Sequence, residues 1–152
     1  MTVDINNESG LEADSPGLVR LATFTLDQLR IHPHAELSVL LVDEGTMASY
    51  HEKYMGEPGP TDVLSFPMDE LRPPAEDDEP PVGLLGDIVL CPEVTAAQAA
   101  ENNRTAEEEA DYLLVHGLLH LLGHDHAEPA EKQVMFDLND RIIEAWSAHR
   151  KA

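Results

Sequence analysis

The chain has 152 residues and a mass of 16.7 kDa, which predicts a single domain spanning residues 1–152. A net charge of −21, from 9 basic and 30 acidic residues, excludes a generic polybasic nucleic-acid binder and a basic membrane-surface helix. The sequence contains no apolar run near the roughly 18 residues that cross a bilayer, and its N-terminus has no signal-peptide core. Its single cysteine, Cys91, favours a reducing cytoplasm.

The first half of the chain alternates predicted strands and helices. A short strand is predicted at Val3–Ile5, and Ser15 followed by Pro16 is typical of an N-cap with proline at the first helical position. Apolar residues at helical spacing then predict a helix of about sixteen residues. A strand at Glu36–Val42 and a helix at Met47–Tyr54 follow.

The second half begins with a short strand and a long polar segment. The strand Asp62–Phe66 ends at Pro67, and residues 68–83 read as a flexible, acidic, proline-rich surface loop. The remaining predicted elements are a strand at Gly86–Cys91 and helices at Val94–Asn103, Thr105–Leu122 and beyond Pro129. Thr105 and Glu108 have the spacing of a capping box, and Gly123 is a natural C-terminal cap. This order predicts an α+β domain, a small mixed sheet packed with about five helices.

Four of the eight histidines fall between residues 116 and 126. His116 and His120 are four residues apart on a predicted helix, so their rings lie about 40° apart on one face. That spacing lets two imidazoles bind one metal ion, and His124 or His126 can return to the same ion after the turn at Gly123. Three imidazoles and a water form the open arrangement of a catalytic zinc, whose bound water has a pKa near 7.

Two questions about this cluster stay open on the residues alone. A structural zinc is the weaker interpretation, because closed sites usually take four ligands including cysteine. Zinc proteases place a glutamate base directly after the first histidine, and here that position is Gly117. Asp125 is a candidate base or an outer partner of a ligand, or else a residue that caps its loop.

Three motifs in the right order resemble the YbeY family of bacterial endoribonucleases, also called rRNA maturation factors. They are the run from His116 to His126, the segment Pro60–Pro67, and Leu85–Ile88. The resemblance covers about Val3 to Trp146. It implies a compact fold related to zinc metalloproteases, and one zinc ion per chain held by His116, His120 and His126, with His124 ranked second.

The resemblance also implies single-strand-specific RNA cleavage in 16S rRNA 3′-end maturation and ribosome quality control. The expected partners are single-stranded rRNA, small-subunit ribosomal proteins and a ribosome-associated GTPase, in the cytoplasm and away from membranes. Asp62, Ser65 and Asp125 are the candidate catalytic residues, and Asp87 is a further candidate for the cleft. Cys91 and Trp146 are interpreted as core residues.

One position departs from the family pattern. Many relatives carry an arginine before the Pro-Thr-Asp motif, and the matching position here is Met55. An arginine there would bind phosphate or stabilise charge developing on phosphorus. Lys53 and Arg72 are the nearest cations in the sequence, and both are interpreted as solvated surface charges.

Two alternatives to an RNA-cleaving enzyme remain. One is a metal-dependent hydrolase of a peptide or small molecule, and the other is a ribosome-assembly factor whose metal is mainly structural. If RNA is the substrate, the net charge of −21 predicts weak affinity, a shallow salt dependence and delivery by a partner.

Overall fold

The computed structural model describes residues 2–31 and 34–151, which form a mixed four-stranded sheet and five helices. The α+β prediction is confirmed. In chain order the elements are β1 Thr2–Asn7, α1 Ser15–Gln28, β2 Glu36–Leu41, α2 Glu44–Met55, β3 Val63–Pro67, β4 Leu84–Leu90, α3 Pro92–Glu101, α4 Ala106–Leu121 and α5 Pro129–Lys151.

The sheet has the strand order β1-β2-β4-β3. β1, β2 and β4 run parallel, whereas β3 pairs with β4 in the antiparallel direction, from Val63 opposite Leu90 to Pro67 opposite Gly86. β3 is therefore an edge strand. Ser65 lies on this edge strand, and Thr61 and Asp62 directly precede it.

Successive residues of a strand face opposite sides of the sheet, and β4 accordingly contributes to two cores. Ile88 faces the main core with α1, α4 and α5, whereas Val89 faces a smaller one with Met47 of α2. α4 is buried most deeply, because seven of its residues between Leu113 and Leu121 are shielded from solvent. This burial holds the helix that carries two of the clustered histidines.

Cys91 and Trp146 are core residues, as predicted. Cys91 is fully buried in the smaller core, where burial raises the pKa of its thiol. Trp146 is 6% exposed and packs against Phe24, with ring centroids 5.3 Å apart. Among the helices of residues 2–31 and 34–151, none is both long and apolar enough to span a bilayer.

Two local predictions differ from the structure. The N-cap of α1 is Asp14 rather than Ser15, because the Asp14 carboxylate accepts the Gly17 backbone N–H at 3.0 Å. α2 begins at Glu44, earlier than predicted, because the Asp43 side chain accepts the Thr46 N–H at 2.7 Å. In both cases an aspartate side chain caps the helix. Hydrophobic periodicity marks the body of a helix and does not locate its cap.

The acidic segment 68–83 is tied to the body of the protein at two places. Leu71 is buried in the main core. The Arg30 guanidinium donates to the backbone carbonyls of Ala75, Glu76 and Asp78, each at 3.2 Å. These contacts fix the course of the loop over the surface.

Candidate metal centre

The geometry of α4 brings His116 and His120 together. They lie one helical turn apart, with ring centroids 4.8 Å apart and planes at 82°. The helix ends at Leu121, and Gly123 takes a φ of +100°, a conformation that suits glycine. The His124 N–H then donates to the Leu119 carbonyl at 3.0 Å, which turns the chain back towards the helix.

The returning chain carries His126 to the same place. Its ring lies 5.6 Å from that of His116 and 5.1 Å from that of His120, measured between centroids. One ligand atom from each of the three rings lies within 4.8 Å of the others. The three residues predicted as ligands are thus close enough to share one ion.

The state of these rings suits a metal. Burial, followed by the neighbouring histidines, lowers the pKa of His116 to about 4 and also lowers the pKa of His120. Both rings are therefore neutral near pH 7, and the neutral form is the one that binds metal. Nδ1 of His116 is buried and has no hydrogen-bond partner within residues 2–31 and 34–151. A nitrogen-only donor set with an open side fits zinc.

The cluster lines a cleft of ≈ 720 Å³ between β3, α4 and the chain after Gly123. Besides the three histidines it is lined by residues of α2, the β3 segment, α3, α4, the loop after α4 and α5. These are Met55, Thr61 to Ser65, Pro67, Gln98, Glu109, Tyr112, Leu113, Gly123 to Asp125, and Phe136. The cleft is large enough to receive a polymer segment next to the histidines.

His124 and Asp125 lie at the rim of this cleft. His124 stands outside the converging triad among the described residues, consistent with its lower rank as a ligand. Oδ1 of Asp125 accepts the His126 backbone N–H at 2.7 Å, so the carboxylate holds the loop. Its negative charge also acts on His120, where it partly offsets the effect of burial on the pKa.

Asp62 and Ser65 also line the cleft, each with a structural partner. Oδ1 of Asp62 accepts the Val63 N–H at 2.7 Å, while its charge acts on His116 in the direction that raises the pKa. The Ser65 hydroxyl donates to the Gly117 carbonyl at 3.1 Å and so ties the edge strand to α4. Asp87 lies opposite Phe66 on β4 and is absent from the residues that line the cleft.

Gly117 has a steric reason to lack a side chain. A Cβ built on it would lie 3.2 Å from Ile88 Cγ2 and 3.2 Å from Ser65 Oγ. A side chain at this position would therefore require Ile88 and Ser65 to shift by a few tenths of an ångström. The close approach of the helix to the sheet favours glycine where a zinc protease has its glutamate base.

Several cleft residues were not found by sequence reasoning. Phe136 of α5 stacks on His116 and His126, at centroid distances of 5.8 and 6.4 Å. Glu109 and Tyr112 precede His116 on α4 by seven and four residues, which places them on the same helix face. That helical spacing could have identified Glu109 and Tyr112, whereas Phe136 comes from another element.

Lys53 and Arg72, the cations nearest Met55 in the sequence, lie at different distances from the cleft. Met55 is 50% exposed and lines the cleft. Lys53 lies over the Tyr54 ring at 5.2 Å and is not among the cleft residues. Arg72 packs against Gly123, beside His124, and so reaches the rim of the site. Arg72 is exposed, as expected of a surface charge, and lies closer to the site than Lys53 does.

Comparisons with known proteins identify the family of the chain. The family model described as Endoribonuclease YbeY matches residues 5–147. The chain is 71% identical over 149 residues to a protein named Endoribonuclease YbeY from Cutibacterium acnes, covering 98% of this chain and 96% of that one. A relative of the same name from Thermobifida fusca is 56% identical, covering 96% and 94%.

A solved structure shares the fold. The solution structure of a protein from Thermotoga maritima is similar with a TM-score of 0.62 and 27% sequence identity, covering 99% of this chain and 93% of that one. The motifs that contain the clustered histidines fall inside the matched residues 5–147. The chain belongs to the endoribonuclease YbeY family.

Proposed function

We propose that the chain is a zinc-dependent endoribonuclease that cleaves single-stranded RNA in 16S rRNA 3′-end maturation and ribosome quality control. The observation that carries the proposal is the convergence of three imidazoles in an open cleft. Membership of a family named for endoribonuclease activity supports the choice of RNA as substrate.

In this proposal His116, His120 and His126 hold the ion. Zinc at such a site supplies a Lewis acid and lowers the pKa of water to near 7. Phe136 stacks on two of the rings and restricts their rotation. The triad is thereby held in a binding geometry before the metal arrives.

Asp125, Asp62 and Ser65 are the proposed catalytic residues around the ion. Asp125 is exposed at the mouth of the cleft, where its second carboxylate oxygen can accept a proton from an attacking group. Asp62 and Ser65 line the cleft from β3 and the residue directly before it. The Ser65 hydroxyl donates its proton to the Gly117 carbonyl, which leaves its oxygen lone pairs free to accept a hydrogen bond from a substrate in the cleft.

The surface charge of the chain bears on how RNA arrives. A net charge of −21 repels a polyanion, so attraction must come from the metal and from a few local cations. Delivery by small-subunit proteins or a ribosome-associated GTPase in the cytoplasm is part of the proposal. It accounts for activity on a substrate that the protein surface repels.

Metal content is the first test. Purified protein should hold about one zinc per chain, and His116→Ala or His120→Ala should lose most of it, since two imidazoles bind weakly. His149→Ala, on the exposed end of α5, is the matched control and should keep the metal. Elemental analysis gives the content. Full zinc in both cluster variants would show that the ion lies elsewhere.

Cleavage is the second test. Zinc-loaded protein should cut a single-stranded 16S 3′ precursor and leave the same sequence intact when it is annealed to a complement. Both cluster variants should be inactive. Hydrolysis of peptides without RNA cleavage would favour a hydrolase of another substrate. Binding to small subunits with no cleavage would favour an assembly factor with a structural metal.

A further inference from the structure

We propose that Arg72 forms a phosphate-binding subsite at the rim of the metal centre and contacts the backbone of the RNA substrate. The inference rests on the proposed function and assigns a role to a residue outside the family's motifs. The position of Arg72 carries it. Its Nε, Cζ and Cδ atoms lie 2.5, 2.7 and 3.0 Å from where a Cβ on Gly123 would be.

That position places the guanidinium beside the cleft. Gly123, His124 and Asp125 are consecutive and all line the cleft that contains the histidine triad. Only a glycine at position 123 leaves room for the guanidinium to pack there.

The guanidinium is also available for an anion. Arg72 is exposed, its Nη1 donates only to the adjacent Leu71 carbonyl, and it makes no ion pair with the described residues. Arg104 and Arg150, in contrast, pair with Glu109 and Glu107.

The loop holds Arg72 in place. The preceding residue, Leu71, is buried in the main core. On the N-terminal side, the Asp69 carboxylate accepts the Leu84 N–H at 2.7 Å, and on the C-terminal side Arg30 binds three carbonyls of the loop. The backbone that carries Arg72 is therefore held on both sides, so binding a ligand does not require the loop itself to be ordered.

The chemistry of the site selects the ligand class. A planar guanidinium donates two parallel N–H bonds to phosphate oxygens, which a lysine cannot match. Met55, which lines the cleft, provides no charge. Arg72 and the metal therefore supply the positive charge that a phosphodiester needs at this end of the cleft.

The experiment measures binding of a short single-stranded 2′-O-methyl oligonucleotide to zinc-loaded protein by fluorescence anisotropy over a series of salt concentrations. Arg72→Ala should weaken binding about tenfold. It should also reduce the slope of log K against log salt by about 0.7, the contribution of one phosphate contact on a single strand. Arg72→Lys should keep the slope and recover only part of the affinity. Zinc content should be unchanged in both variants.

Arg20→Ala is the matched control. It removes the same charge from an exposed arginine that lines a separate cavity with Ala106 and Trp146, and it should leave both quantities unchanged. A second measurement uses the same oligonucleotide with one neutral methylphosphonate linkage. At the contacted linkage, wild-type protein should lose affinity and Arg72→Ala should lose none further.

The two proposals fail differently. Wild-type cleavage of RNA with an unchanged affinity and salt slope in Arg72→Ala would overturn the subsite and leave the nuclease proposal standing. Equal losses in Arg72→Ala and Arg20→Ala would show a general charge effect and would also overturn the subsite. A wild-type protein that neither binds nor cleaves single-stranded RNA would remove both.

Discussion

At the scale of single residues, Gly117 separates this centre from that of a zinc protease. The two histidine positions match the protease helix signature. Gly117, directly after the first histidine, packs closely against Ile88 and Ser65. The close approach of helix and sheet therefore disfavours a side chain at that position. Asp125, in the loop after the helix, and Asp62, directly before the edge strand, are the proposed alternatives to a base on the helix.

Gly117→Glu, which restores the protease signature, should destabilise the fold and yield no peptidase. The larger side chain overpacks the contact with Ile88, and its carboxylate is buried without a partner, so a loss of several kcal/mol is expected. Thermal denaturation measures the effect. A variant with the wild-type melting temperature would show that the helix can move away from the sheet.

At the scale of elements, α4 begins at a capping box and carries two of the clustered histidines near its other end. Thr105 accepts the Glu108 N–H at 3.1 Å, and the Glu108 carboxylate accepts the Thr105 N–H at 2.8 Å. These hydrogen bonds lower the pKa of the Glu108 carboxyl. The capping box therefore fixes where α4, the helix that carries His116 and His120, begins.

Thr105→Ala should lower the free energy of unfolding by about 1 kcal/mol, because one helix N–H loses its acceptor. Thr23→Ala is the control, since Thr23 is exposed on α1 and bonds only to the Val19 carbonyl. The free energy of unfolding of Thr23→Ala should change little. Urea denaturation of both variants gives the comparison, and equal midpoints would contradict the importance of the cap.

The sequence predicts features that depend on neighbours along the chain. The capping box, the histidine pair and the turn at Gly123 are all encoded within a few residues of one another. The N-cap at Asp14 was missed because Ser15 beside it has the same capping chemistry. The approach of Arg72 to Gly123 was missed because it depends on how Leu71 enters the core, a contact between distant segments.

At the scale of the whole molecule, two titrating groups affect acid stability in opposite directions. His116 has its pKa lowered to about 4 by burial, so below pH 6.5 the unfolded chain binds more protons and folding weakens as pH falls. Burial raises the pKa of Asp111 to about 6, so the folded chain binds more protons between pH 3.8 and about 6. Asp111 therefore weakens folding as pH rises through that range.

Asp111→Asn should become more stabilising, relative to wild type, as pH rises from 4 to 7. The gain should be about 1–2 kcal/mol, reduced from the full shift because the group is partly screened by solvent. Metal-free protein studied by urea denaturation at each pH provides the measurement. A difference that is independent of pH would show that the Asp111 carboxyl titrates alike in the folded and unfolded chains.

The burial of Cys91 has a practical consequence for following this molecule in solution. The chain has one thiol, enclosed in the smaller core with a raised pKa, and only the thiolate reacts with alkylating reagents. Labelling therefore requires the smaller core to open. The rate of single-site labelling reports how often that opening occurs, and its change on adding zinc or RNA measures how far each ligand suppresses it.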